Sequence, residues 1–347
     1  MSPEALLAAR GAVALPPVAR VNGAHPPTRA AAAPKPTPPP AGAAPRIWTA
    51  GDLLAQSFPA IRYVVRELLP QGYAILAGAP KLGKSWLAYQ IAAAVAEGRD
   101  LFAQATDRGE VLLLALEDGE RRVQDRLLKV LDNRAAPAGL SIATAWPRIG
   151  DGGLEQMQAW ASRTPSARLV IVDTFAKLKP PSSRNVNAYD ADYALHGQLH
   201  AFATASKLAV LAITHYRKGA AGGDFVEAVT GSAGITGAAD TILAMERARG
   251  SEDAVLHVTG RDIRESKLAI RLENGIWRCL GDAASVLEGE TRQKLSRIVA
   301  EASEPLTAGE IAELAELKAD TARRTLNRMV RDQRIVRSGN RYAARIG

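Results

Sequence analysis

Cysteine is all but missing from this chain: the 347 residues contain one, Cys279, so no internal disulfide can form. Histidine is sparse and scattered, five in all, which together with the lone cysteine excludes a Cys-rich zinc centre. Aromatic residues make up only 5%. No uninterrupted apolar run reaches the roughly 18 residues needed to span a bilayer, and the N-terminus has no basic cluster followed by an apolar core. These absences predict a soluble protein of a reducing cytoplasm, with no membrane partner. What is present, 47% hydrophobic and 23% charged residues, is ordinary for a folded protein of about two domains, and excludes collagen-like, wholly disordered and disulfide-scaffold classes.

The charge is uneven. Lys and Arg number 44 against 36 Asp and Glu, a formal +8, which hints at a polyanionic partner. Residues 1–46 hold five basic residues and one acidic (+4), residues 47–317 hold 30 and 33 (−3), and residues 318–347 hold nine and two (+7). The excess therefore lies at the two ends.

Residues 1–46 are rich in Ala and Pro and have almost nothing large to bury, which predicts a disordered arm or semi-stiff tether. From Ile47 the texture changes. Apolar runs at Tyr73–Ala77, Val111–Leu116, Leu169–Val172, Ala209–Ile213 and Ala239–Met245 alternate with helical spacing between the earlier ones, the signature of a parallel sheet covered on both faces. Ala254–Val258 and Ala269–Leu272 read as a closing antiparallel pair, and the domain ends near 282 after Ile276-Trp277. Residues 290–347 read as a second unit. Leu295, Ile298 and Val299 mark one helix, and Thr307-x-x-Glu310 is a capping box opening another that carries Ile311 and Leu314. A third runs from about Asp320 to Gln333, and a hairpin turns at Ser338-Gly339-Asn340. That order outlines a small winged helix-turn-helix.

Gly78-Ala79-Pro80-Lys81-Leu82-Gly83-Lys84-Ser85, followed by Trp86, fits the phosphate-loop pattern between a predicted strand and a predicted helix. The chemistry needs these types. The glycines let backbone N–H groups turn inward around a β-phosphate, Lys84 reaches the β and γ oxygens, and Ser85 offers its hydroxyl to Mg²⁺ at a helix N-terminus. ATP and Mg²⁺ are the expected cofactors. Asp173 ends a buried strand, where an acid is expected to hold the Mg²⁺ shell through water. Thr174 follows it, so a carboxylate to orient attacking water must come from elsewhere; Glu117 at the end of another strand is the candidate. The alternative is that Glu117 and Asp118 open the next helix as N-terminal charges.

Together these motifs resemble the RecA-like P-loop ATPases of the AAA family typified by the plasmid RepA hexameric helicase. The likeness runs over about residues 47–280. It is carried by Leu116-Glu-Asp118, Asp173-Thr-Phe-Ala-Lys177, Ala212-Ile-Thr-His215-Tyr-Arg-Lys218, Gly231-Ser-Ala-Gly-Ile-Thr-Gly-Ala-Ala-Asp240 and Gly260-Arg-Asp262. The resemblance implies an α/β RecA-like fold and a homo-oligomeric ring, a hexamer in that family. It implies His215 beside the γ-phosphate and an arginine supplied from a neighbouring subunit, for which Arg261 is the choice and Arg264 the substitute. It also implies a loop after His215 facing a channel for single-stranded DNA, with Arg217 and Lys218 on phosphates. His196 and His200 are four apart, but His-Gly-Gln-Leu-His lacks the glutamate of a zinc-protease helix.

In the third C-terminal helix, Arg324, Arg328 and Arg331 fall on one face flanked by Arg323 and Asn327, while Ala322, Leu326, Met329 and Val330 form the other. Arg337 and Arg341 frame the hairpin tip. Such a division suits a recognition helix and wing on duplex DNA, the alternative being a solvated charged face on a protein-binding module. The sequence therefore predicts a DNA-stimulated ATPase motor of plasmid or phage replication type, with replication proteins as further partners. The competing reading is an ATP-switched DNA-binding regulator or helicase loader without unwinding activity.

Overall fold

The computed structural model describes residues 47–180, 188–215, 235–247 and 251–344. A short helix α1 (Ala50–Leu54) and a small antiparallel pair, β1 (Tyr63–Val65) with β2 (Leu69–Pro70), lead into the central strand β3 (Gly72–Gly78) and helix α2 (Lys84–Glu97). Then follow β4 (Glu110–Ala115), α3 (Glu120–Leu131), β5 (Leu140–Ala143), α4 (Gly153–Arg163), β6 (Ala167–Asp173), α5 (Phe175–Leu178) and α6 (Ala188–Ser206). The sheet continues through β7 (Ala209–Thr214), α7 (Ile235–Ala238), β8 (Thr241–Arg247), β9 (Asp253–Gly260), β10 (Ser266–Glu273) and β11 (Ile276–Asp282).

Nine strands form one sheet in the order β11-β10-β9-β8-β3-β7-β6-β4-β5. Pairing is parallel from β8 to β5 and antiparallel from β8 to β11. Strand alternation explains how both faces are covered. Ala74, Leu76, Ile171, Leu211 and Ile213 face one core, built with α2; Tyr73, Ile75, Val170, Val172, Val210 and Ala212 face the other, built with α6. Helix α2 is buried nearly all round, and its run of alanines (Ala92, Ala93, Ala94, Ala96) lets it lie close on the sheet. This is the RecA-like α/β layout: the loop-bearing strand β3 sits between β7 and β8, with β6 and β4 beyond β7.

Three strands escape the sequence reading. β5 has no fully buried residue, and β1 and β2 are three and two residues long, too short for a period to register. Between the two expected units, residues 283–289 are helical: Asp282, the last residue of β11, accepts a hydrogen bond from the Ser285 N–H at 2.9 Å and caps helix α8 (Ala283–Glu301) directly.

After α8 come β12 (Leu306–Thr307), α9 (Ala308–Leu314), α10 (Ala319–Arg331), β13 (Ile335–Ser338) and β14 (Arg341–Ala344), with the strands ordered β12-β14-β13. Leu295, Val299, Ile311, Leu326, Met329, Ile335 and Tyr342 form their own core. The capping box is present: Thr307 Oγ1 accepts from the Glu310 N–H, and the Glu310 carboxylate accepts from the Thr307 N–H at 2.6 Å. Leu314 is 61% exposed and Val330 only half-buried, because the core turns away at the last residues of both helices.

Candidate functional site

Parallel pairing brings the strand tips together at one end of the sheet. Ala77 pairs with Thr214, so the loop beginning at Gly78 lies beside His215. Ala115 pairs with Asp173, and the Leu116 N–H donates to the Asp173 carbonyl at 2.6 Å, so Glu117 and Asp173 share one corner. A cleft of about 300 Å³ opens between the phosphate loop, Glu117, Asp173, His215 and Arg126.

Lys84 is buried in it. Its ammonium donates to the Gly78 carbonyl at 2.7 Å and the Ala79 carbonyl at 2.8 Å, and its third contact is His215 Nδ1 at 2.9 Å. Burial lowers the lysine pKa to about 8, against the pull of Asp173 and Glu117. Burial and the neighbouring lysine also lower that of His215, favouring the neutral imidazole whose ring nitrogen can accept from Lys84. Glu117 accepts a hydrogen bond from Thr174 Oγ1 at 3.2 Å and lines the cleft, while helix α3 begins three residues later at Glu120.

Asp173 is 2% exposed, and burial raises its pKa to about 6, partly offset by a hydrogen bond from Ser85. Its Oδ1 is buried without a hydrogen-bond partner. An orphaned carboxylate oxygen beside a serine hydroxyl fits Mg²⁺, which keeps several waters and needs few protein ligands when phosphates supply the rest. No cluster of three or more His, Cys, Asp or Glu that could hold a metal occurs among the described residues.

Two neighbours were not legible in the sequence. Asp118 has a 5% exposed side chain paired with Arg126 and, at 3.2 Å, with Arg122. Arg126 in turn lies 5.4 Å from the Trp86 ring centroid and Lys129 5.6 Å, while a Cβ on Gly275 would come within 2.7 Å of that ring. Trp86 is thus engaged by its own chain. The second neighbour, Trp277, comes from β11, and its indole N–H donates to the Gly83 carbonyl at 3.0 Å.

Arg261 is not at this end of the sheet. Its N–H donates to the Asp240 carbonyl at 2.9 Å and its guanidinium lies 3.4 Å from the Asp240 carboxylate, which also meets His200 at 3.2 Å. Asp240 caps the start of β3 by accepting from the Tyr73 N–H at 3.0 Å, some five residues or ~16 Å of strand from the phosphate loop. Arg261 therefore cannot reach its own cleft. Arg264 has no ion-pair partner among the described residues. His196 is fully buried, bonded to the Tyr73 hydroxyl and stacked on Phe175 at 4.0 Å, and burial lowers its pKa to about 4; it is a core residue. Arg217 and Lys218 lie outside the described residues, as does the arm 1–46.

In the C-terminal unit, Arg323, Arg324 and Arg331 are exposed. Arg323 joins Asn327, Arg337, Asn340 and Tyr342 around a second cleft of about 310 Å³. Arg328 departs from expectation: it turns to α8 and pairs with Glu288 at 2.6 Å, alongside Arg292. Asn327 accepts from the Tyr342 hydroxyl at 3.1 Å, Arg337 lies over the Tyr342 ring, and Arg341 donates to the Pro305 carbonyl at 2.7 Å.

Among solved structures, the chain resembles an ATPase domain with a TM-score of 0.49 and 14% identity, over 60% of this chain and 85% of that one. It resembles a DnaB-like replicative helicase, solved in a study of its interactions with primase, at the same TM-score and identity, but spans only 57% of that protein. A search of curated protein sequences returns no match. No helix among the described residues is long and apolar enough to cross a membrane. The AAA domain family model matches residues 37–221, more than half of the chain and inclusive of the phosphate loop, the Glu117 turn, Asp173 and His215. By that match the chain belongs to the AAA domain family, whose membership implies a nucleotide-binding ATPase module.

Proposed function

We propose that this protein is an ATP-hydrolysing, DNA-associated motor of RepA-like type, built as a ring and carrying a winged-helix DNA handle at its C-terminus. The observation that carries the ATPase part is the convergence of Lys84, Ser85, Asp173, Glu117 and His215 on one cleft at the strand tips. Gly78, Ala79, Pro80, Lys81, Leu82, Gly83 and the α2 N-terminus would cradle the phosphates, with Trp86 packed behind them. Ser85 and Asp173 would hold Mg²⁺, which supplies charge neutralisation at the phosphoryl group. Glu117 would orient the attacking water, held toward the cleft by Thr174. An incoming γ-phosphate would compete with three acceptors for the Lys84 ammonium, among them His215, and so tie the phosphate to the chain that follows this histidine.

The ring is supported by Arg261, which is too far from its own cleft to serve it and would complete a neighbour's. The DNA part is supported by nine basic against two acidic residues over 318–347, and by exposed Arg323, Arg324 and Arg331 on one helix. The test is ATP turnover with and without single-stranded and duplex DNA. Single-stranded DNA should raise turnover several-fold, and Lys84→Ala should abolish it in every condition. Turnover indifferent to DNA would overturn the motor, and site-specific duplex binding without unwinding would favour an ATP-switched regulator.

A further inference from the structure

The contact between β11 and the phosphate loop is not part of the motif and comes from 194 residues away. The indole of Trp277 is buried, its Nε1–H donates to the Gly83 carbonyl, and its ring carbons would lie 2.8 Å from a Cβ at position 83. Its backbone is fixed as firmly: the Gln90 side chain accepts from the Trp277 N–H at 2.7 Å and donates to the Trp277 carbonyl at 3.0 Å. Trp277 is thus clamped at both edges by α2, the helix the loop opens.

The consequence follows from peptide geometry. A trans peptide is planar, with C=O and N–H on opposite sides, so fixing the direction of the Gly83 carbonyl fixes the Lys84 N–H in the opposite direction. The Gly83 carbonyl already accepts the first helical bond from the Leu87 N–H at 3.2 Å; the indole is a second donor holding it down against α2. The Lys84 N–H is then presented outward, toward the phosphate position at the helix N-terminus. Gly83 is required here twice over: its φ is +97°, and the indole fills the space of any side chain.

We propose that Trp277 is a positioning residue for nucleotide binding, acting through the Gly83–Lys84 peptide. This rests on the reading of residues 78–85 as the nucleotide loop. A group that preorganises a contact made equally in ground and transition states sets KM, whereas a merely structural residue, when lost, lowers the active fraction and with it kcat.

The experiment compares wild type, Trp277→Phe, Gln90→Met and Lys84→Ala in binding of a fluorescent ATP analogue and in steady-state ATP hydrolysis. Loss of one hydrogen bond predicts an affinity roughly three- to tenfold weaker for Trp277→Phe, with KM raised in step and kcat nearly unchanged. Gln90→Met, which frees the Trp277 backbone but keeps its indole, should shift KM the same way by less, and it carries the test if Trp277→Phe does not fold. Wild-type affinity and KM in a folded variant, or a fall in kcat at constant KM, would overturn the positioning role. Failure of wild type itself to bind the analogue would instead overturn the nucleotide reading.

Discussion

A carboxylate at the floor of a sheet is stable only if something takes its charge. Asp173 is such a group, and its pKa is raised from 3.8 to about 6 by burial. Folding therefore takes up a proton between these values. The stability carried by the protonated acid is full below pH 4 and is lost as the pH rises through 6. The loss is on the order of 2 to 3 kcal/mol, the equivalent of about two pKa units. In EDTA, thermal unfolding of the wild type should therefore weaken from pH 4.5 to 7.5 more steeply than that of Asp173→Asn. At pH 7.5, Mg²⁺ with nucleotide should raise the wild-type Tm and fail to raise the variant's as far. Parallel pH profiles would show that Asp173 takes up no proton on folding, and an equal rise in Tm with Mg²⁺ and nucleotide in both proteins would remove it from the metal site. Asp173, Lys84, Ser85 and Glu117 were all legible in the sequence, because each sits at a fixed offset from an apolar run or within a spaced motif. Trp277 and the Asp118–Arg126 pair were not, since each depends on which distant element is laid against the loop.

At the scale of the element, α10 illustrates what periodicity can and cannot settle. Spacing correctly assigns Ala322, Leu326 and Met329 to the core, and the polar face to the arginines. It cannot tell which arginine on that face will be met by another helix. Arg328 is met by Glu288 of α8, a residue 40 positions earlier, whereas Arg323 and Arg324, equally exposed, have no ion-pair partner among the described residues. Arg323→Ala and Arg324→Ala should each weaken duplex binding and lower the slope of log K against log salt by about one. Arg328→Ala should leave that slope nearly unchanged and lower the Tm only slightly, since a solvent-screened ion pair contributes little. Equal loss of binding in all three would mean that Glu288 releases Arg328 to DNA. The same limit applies to the helix boundary at Asp282: Gly281, at φ +121°, marks a turn there, but the spacing does not reveal that the next residue caps a helix directly.

Across the whole molecule, the sheet separates two chemistries. One end holds the nucleotide cleft and the other holds Asp240 with His200 and Arg261. Parallel register fixes this: Gly78 is level with Met245, while Asp240 is level with Tyr73 at the strand starts. With a 63% exposed side chain, Arg261 is available to a second copy but not to its own Lys84. If it completes a neighbour's site, Arg261→Ala and Lys84→Ala damage different halves of one shared interface. Each homogeneous variant should then be inactive or nearly so. Co-assembled in equal amounts, the two should recover about a quarter of wild-type turnover, because that share of interfaces joins an intact loop to an intact arginine. A cis role predicts a different pattern, since every subunit would then lack either its own lysine or its own arginine. Mixing would recover nothing. Retention of full activity by Arg261→Ala alone would leave the arginine as a bridge to Asp240, and the finger would have to be sought at Arg264.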